Sequence, residues 1–107
     1  MPFRTLLHCA CVNGHLEIAK LLVRKGANIH TVDKDGRTPL HYACWYGHSK
    51  VAELLLKKGA NTDAVNKNGQ TPWNLALIYG FGDKFSELKR KLIYFKVGNL
   101  YQTTQNL

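Results

Sequence analysis

Residues 36–61 read GRTPLHYACWYGHSKVAELLLKKGAN, and this stretch determines the fold. Thr38-Pro39 predicts the start of a helix, because threonine caps helix N-termini and proline suits the first helical position. Gly47 is expected to end that helix, since glycine readily adopts the left-handed conformation after the last turn. Apolar residues at helical spacing then predict a second helix over about 49–58.

The same residue types recur 33 positions away on both sides of this stretch. The matched positions are Thr5, Thr38 and Thr71; Gly14, Gly47 and Gly80; His8 and His41; Cys11 and Cys44; His15 and His48; Gly26-Ala27 and Gly59-Ala60. The copies cover about 2–34, 35–67 and 68–100, and a polar tail follows at 101–107. A helix pair of this size cannot bury its apolar face alone, so neighbouring copies must stack.

The second copy resembles an ankyrin repeat, because it carries D-G-x-T-P-L-H-x-A followed by G-H, L-L-L and G-A. The first copy is similar but has Leu6 in place of the proline and no Asp-Gly turn. The third keeps NGQTPWNLA and Gly80, then has Phe81 in place of histidine and no closing Gly-Ala. The resemblance implies an all-α solenoid of stacked helix–turn–helix units with hairpin loops. It also implies a non-catalytic module that binds other proteins.

The end of the third copy has its own pattern. One apolar stripe at helical spacing predicts a single long helix over about 83–97 that closes the end of the stack. Its residues are Phe81, Phe85, Leu88, Leu92 and Phe95.

His8, Cys9, Cys11 and His15 lie within eight residues and resemble a zinc-ligand set. The other copies do not preserve it: their residues are His41, Tyr42, Cys44 and His48, then Asn74, Leu75, Leu77 and Phe81. Positions that accept cysteine or leucine indicate apolar core, and the resemblance implies a structural hydrogen-bonding role for the first histidine. We therefore predict no metal, no cofactor and no catalytic residue, because no converging acid–base or nucleophile pair is evident.

Three aligned pairs precede the closing glycine of each first helix: Val12-Asn13, Trp45-Tyr46 and Ile78-Tyr79. Stacking would join them into one stripe, and tryptophan and tyrosine are common interface anchors. In ankyrin proteins this position and the hairpin tips form the concave binding face. The expected partner-binding residues are therefore Trp45, Tyr46, Ile78, Tyr79, Lys34, Asp35, Arg37, Lys67, Asn68 and Gln70.

The 107 residues include 15 Lys+Arg against 7 Asp+Glu, a formal charge of +8. Three basic pairs follow the repeat, namely Arg24-Lys25, Lys57-Lys58 and Arg90-Lys91. Cations near helix C-termini offset the helix dipole, and this explanation is favoured over a binding role. The second explanation of the basic pairs is that they attract an acidic protein partner. The alternative function is electrostatic binding to nucleic acid or an anionic membrane surface, although no nucleic-acid-binding motif is present.

Composition narrows the class of protein further. With 45% apolar and 21% charged residues, a single folded domain is expected rather than disorder. No apolar run is long enough to span a bilayer. Three cysteines favour a reducing, intracellular compartment, cytoplasmic or nuclear, and we expect a monomer. A complete short protein and a piece of a longer array both fit, because the first copy begins inside a hairpin.

Overall fold

The computed structural model describes the backbone of residues 3–105 and the side chains of residues 3–98. That part of the chain holds six α-helices and no strand, so the predicted all-α class is confirmed. The helices are α1 (Leu6–Asn13), α2 (Leu16–Arg24), α3 (Pro39–Trp45), α4 (Ser49–Lys57), α5 (Pro72–Ile78) and α6 (Gly82–Gln105). None of these helices is long and apolar enough to cross a membrane.

The first helix of each copy begins at a capping box. The side chains of Thr5, Thr38 and Thr71 each accept the backbone N–H three residues later. In return, the residue at that later position accepts the threonine N–H; the Thr38 amide, for example, lies 3.0 Å from His41 Nδ1. Two orphan donors are thereby satisfied at each helix start.

The helices form two layers. Helices α1, α3 and α5 pack side by side in one layer, and α2, α4 and α6 form the other. The core is centred on the second copy, where Leu40, Tyr42, Cys44 and Leu55 are fully buried.

The two T-x-L-H histidines tie each copy to the next. His8 Nε2 lies 2.8 Å from the Arg37 carbonyl oxygen, and His41 Nε2 lies 2.9 Å from that of Gln70. Because Nδ1 of each ring accepts a backbone N–H in the capping box, Nε2 carries the proton and donates. The structural hydrogen-bonding role expected for these histidines is confirmed.

The terminal helix differs from the prediction of about 83–97. Helix α6 begins at Gly82 and continues to Gln105, so residues 101–105 of the predicted polar tail are helical. Gly26 and Gly59 end the earlier second helices with φ of 91° and 93°. The position 33 residues after Gly59 holds Leu92, which disfavours the left-handed conformation, and the helix therefore continues.

Only the first part of α6 closes the stack. Phe85 and Leu88 are buried, and Leu92 is half-buried against the core. Phe95, the last residue of the predicted stripe, is 41% exposed. The helix therefore extends beyond the copies that it covers.

Candidate functional site

Four aromatic rings from α3, α5 and the residues that cap their C-termini stack on one side of the molecule. We call them the aromatic ladder: Tyr42, Trp45, Tyr46 and Tyr79. The α3 members are three and four residues apart, which places them on one helix face. Trp45 is nearly parallel to Tyr42, with ring centroids 5.9 Å apart, and to Tyr46, at 5.3 Å. Tyr79 of α5 reaches the same indole at 5.4 Å. These separations are typical of favourable aromatic pairs.

Two arginines lie against the ladder. The guanidinium carbon of Arg37 is 4.6 Å from the centroid of a Trp45 ring, and that of Arg4 is 4.8 Å from the Tyr42 centroid. Arg37 also pairs with Asp35 at 3.3 Å. Both guanidinium groups lie within cation–π range, so the ladder has a positively charged border.

The inner end of the ladder is fixed by buried polar groups. Tyr42 is fully buried and its hydroxyl donates to the Asp33 carboxylate, whose other oxygen accepts the amides of Asp35 and Arg37. Burial raises the pKa of Asp33, but the hydrogen bonds from Tyr42 and the two amides outweigh it and leave that pKa below its ordinary value. The carboxylate is therefore ionised at neutral pH and holds the tip loop against α3.

The outer end of the ladder faces solvent. Tyr46 is 41% exposed and Tyr79 is 50% exposed, whereas Trp45 is half-buried and also packs against the core. Ile78, next to Tyr79 on α5, is 59% exposed. Of the predicted stripe, the structure therefore brings Trp45, Tyr46 and Tyr79 into direct contact.

The hairpin tips lie beside the ladder and are joined to one another. The Lys67 amide donates to the Asp35 carbonyl at 2.9 Å, while the side chains of Lys34, Lys67 and Asn68 are exposed. Gln70 also holds the loop framework, because its side-chain oxygen accepts from Asn66 at 2.9 Å and its carbonyl accepts from His41.

Sequence reasoning missed three residues of this surface: Arg4, Asp33 and Tyr42. Tyr42 aligns with Cys9 and Leu75 in the other copies, which indicated an ordinary apolar core position. The available signal was the spacing of Tyr42 from Trp45 and Tyr46, which places all three rings on one helix face. Repeat alignment alone could not show it, because the feature occurs in one copy.

The zinc-like cluster does not converge. Both ring nitrogens of His8 are occupied by hydrogen bonds, Cys11 is buried, and Cys9 and His15 are exposed. Burial raises the pKa of the Cys11 thiol to about 12, so the thiolate form that metals require is disfavoured. Within residues 3–98, no group of three histidine, cysteine or acidic side chains is placed to hold a metal ion.

The three basic pairs have different surroundings. Arg24 and Lys57 occupy the last turns of α2 and α4, and Lys25 and Lys58 are the following caps, as the dipole explanation requires.

The expectation for Arg90-Lys91 was wrong, because α6 continues past them and no helix end is near. Arg90 pairs instead with Glu87 at 3.4 Å, and Lys91 with Glu53 at 3.3 Å. Glu53 also pairs with Lys57 at 3.1 Å. Burial raises the pKa of Glu53, but these lysines outweigh it and lower that pKa.

Comparison with known families supports the repeat assignment. A family model described as ankyrin repeats (3 copies) matches residues 2–66, which is more than half of the chain and covers its first two copies. Comparison with curated proteins gives no match.

Proposed function

The chain belongs to the ankyrin-repeat family, and on that premise we propose that it binds a partner protein through the aromatic ladder and the adjoining hairpin tips. Ankyrin repeats are in general non-catalytic protein–protein interaction modules. The proposed contact residues are Trp45, Tyr46, Ile78, Tyr79, Lys34, Asp35, Arg37, Lys67 and Asn68, with Arg4 at the border.

The observation that carries this proposal is the stacking of three rings around Trp45. Tyr46 and Tyr79 are half exposed, yet each is held against the same indole, which is itself fixed on Tyr42. Rings ordered before binding lose little conformational entropy when a partner covers them. Large aromatic side chains in such settings commonly dominate interface energies.

An acidic partner suits this surface best. The side chains of Arg4, Lys34 and Lys67 are exposed around the ladder, and Arg37 lies over it. The acids here are Asp35, which pairs with Arg37, and the buried Asp33. Complementary charge would speed association and select against basic competitors.

The second candidate function is electrostatic binding to nucleic acid or an anionic membrane. Arg24, Lys25 and Lys58 support it, because they are exposed and form no ion pair within the described side chains. Such binding would weaken steeply with salt, since each phosphate contact releases counterions. Titration of duplex DNA, RNA and anionic vesicles at physiological salt tests it, and no binding there would exclude it.

We also propose a reducing intracellular compartment, cytoplasmic or nuclear, and a monomeric state. All three cysteines are free, and Cys9 is exposed, so a reducing compartment would keep its thiol from oxidation. The charge of +8 opposes self-association.

Paired affinity capture tests the main proposal. The bait variant Tyr46→Ala/Tyr79→Ala removes the two exposed rings of the ladder, and Trp45→Ala/Tyr46→Ala removes its centre. Tyr94→Ala/Val97→Ala is the control, because it removes two apolar side chains of α6 that are 72% and 56% exposed and lie away from the ladder and the tips. We expect the partner to be retained by wild type and control and lost by both ladder variants. Thermal stability should be kept in Tyr46→Ala/Tyr79→Ala and lowered in Trp45→Ala/Tyr46→Ala, because Trp45 packs against the core. Equal capture by all baits would contradict the proposal.

A further inference from the structure

A second surface, unrelated to the aromatic ladder, lies between α6 and the end of α4. It is a groove of about 620 Å³ whose apolar lining comes mainly from Leu56, Trp73, Leu92, Ile93 and Phe95. It exists because α6 continues straight past Leu92, where the earlier second helices end at a glycine. None of the residues that line the groove belongs to the ladder or the tips.

Several large apolar side chains that line the groove are exposed to solvent. Trp73 of the third copy aligns with Leu40 of the second copy. The Leu40 side chain is completely buried. At Trp73 the cover is partial: Phe85 packs edge-on at 5.8 Å, and the indole remains half-buried. Ile93 and Phe95 are 61% and 41% exposed. An apolar patch of this kind, bordered by polar groups, is typical of a binding site.

The border of the groove is uniformly basic. Lys57, Lys89 and Lys96 line it, and the lining includes no acidic residue. Lys89 Nζ lies 4.6 Å from the centroid of a Trp73 ring, and Lys57 Nζ lies 5.0 Å from that of Phe95. Lys57 is partly neutralised by Glu53, whereas Lys89 and Lys96 have no ion pair within residues 3–98. The groove therefore combines an apolar floor with positive charge.

We propose that this groove binds an acidic segment of a partner protein, which inserts one aromatic or large aliphatic side chain against Trp73. Charge complementarity selects the acidic segment, and the apolar floor selects the anchor. A second copy of the chain is disfavoured because it would bring another charge of +8. A bilayer is disfavoured because its flat surface cannot reach a half-buried indole at the base of a groove.

The test uses the full chain with the ladder disabled by Trp45→Phe, Tyr46→Ala and Tyr79→Ala, which also leaves Trp73 as its only tryptophan. A displayed library of random dodecapeptides is selected against this protein. We expect the enriched peptides to be net acidic and to share an aromatic or large aliphatic residue. The synthetic peptides should shift the fluorescence of Trp73. Because the ladder is absent, this result does not depend on the function proposed above.

Two charge-reversal variants locate the binding. Lys89→Glu/Lys96→Glu alters the groove, and Lys20→Glu/Lys50→Glu makes the same change in net charge on α2 and α4, away from it. We expect the first pair to weaken peptide binding by about tenfold or more, and the second by less than about twofold.

Four results would overturn the proposal. They are enrichment of neutral or basic peptides, no enrichment, equal weakening by both pairs, and unchanged Trp73 fluorescence. Binding to phosphatidylcholine vesicles that contain one-fifth phosphatidylserine, lost only in Lys89→Glu/Lys96→Glu, would assign the groove to a membrane instead. Concentration-dependent dimers in sedimentation, lost in the same variant, would assign it to a second copy.

Discussion

The second and third copies share the turn and the Thr-Pro helix start, but they differ in their contacts with neighbouring copies. The second copy is covered on both sides, and its first helix, α3, is almost entirely buried. The third copy contains α5 and α6, and α6 covers α5 only in part. The two copies differ at these aligned positions among others: Leu40 becomes Trp73, His41 becomes Asn74, His48 becomes Phe81, and Gly59-Ala60 becomes Leu92-Ile93.

The change from His41 to Asn74 replaces a group that reaches the next copy. His41 closes its capping box and also bonds the Gln70 carbonyl of the next loop, whereas the Asn74 side chain accepts the Thr71 amide at 2.8 Å in its own box. The short asparagine side chain satisfies the helix start but cannot bridge to a further copy. The bridging histidine is thus present in the copies that another copy follows and absent from the third.

The largest expected effect is on the bridge between copies. His41→Asn should keep the capping box but remove the bond between copies, so that the Gln70 carbonyl keeps only the Asn66 amide and a cavity is left beside it. We expect the free energy of unfolding to fall by about 3 kcal/mol in urea denaturation. At the aligned position of the third copy, Asn74→Ala removes a bond of the capping box but no bond between copies, and should cost less than about 1 kcal/mol. Similar losses at the two positions would remove the distinction between bridging and terminal copies.

The closing glycines of the first helices give the next largest contrast. Gly47 has φ of 74°, and a Cβ there would lie 2.5 Å from the Phe81 ring. Gly80 has φ of 87° and open space around it. Gly47→Ala should therefore destabilise by about 2 to 3 kcal/mol, and Gly80→Ala by about 1 kcal/mol from backbone strain alone. Thermal melts of the two variants measure this difference, and equal losses would mean that the contact with Phe81 is unimportant.

Restoring the closing Gly-Ala in the third copy should shorten α6. In the variant Leu92→Gly/Ile93→Ala, we expect the helix to end near residue 91, with a loss of far-UV circular dichroism and about 1 to 2 kcal/mol of stability. The control Ile93→Ala alone should keep its helical signal, because alanine favours helix. If the helical signal of the double variant equals that of wild type, the missing glycine is not what extends the helix.

The smallest expected effect is a pH dependence of the free energy of unfolding that arises from the buried His41. Burial lowers the pKa of His41, so the folded state favours the neutral ring. The stabilisation is complete above the unfolded-state pKa of about 6.5 and is lost as the pH falls through the lower folded-state value. Between pH 7.5 and 5, wild type should lose more stability than His41→Asn. Equal losses in paired urea titrations would show that His41 does not carry this dependence.

Much of the fold could be predicted because threonine, histidine and glycine residues recur every 33 positions. Those residues act through local backbone geometry, so spacing alone locates the helix starts and ends. The length of α6 could not be predicted as well. The apolar stripe weakens after Phe95, while the continuation of the helix depends on the absence of a stop signal at Leu92.

The candidate site was predictable only in part. Trp45, Tyr46 and Tyr79 were found because they share one repeat position, and stacking of the copies brings them together. Tyr42 was missed because its aligned residues, Cys9 and Leu75, indicated an apolar core position, although its spacing from Trp45 was a signal. Arg4 was missed because it joins the ladder through a side-chain contact between copies that has no sequence signature.

The most direct test of the central claim is the affinity of a captured partner for the ladder, measured by titration calorimetry. The comparison is between wild type and Tyr46→Ala/Tyr79→Ala, with Tyr94→Ala/Val97→Ala as the control. Loss of two exposed anchor rings should weaken binding by at least about tenfold at unchanged melting temperature, while the control binds like wild type. Equal affinity of the ladder variant and wild type would contradict the claim that this surface binds the partner.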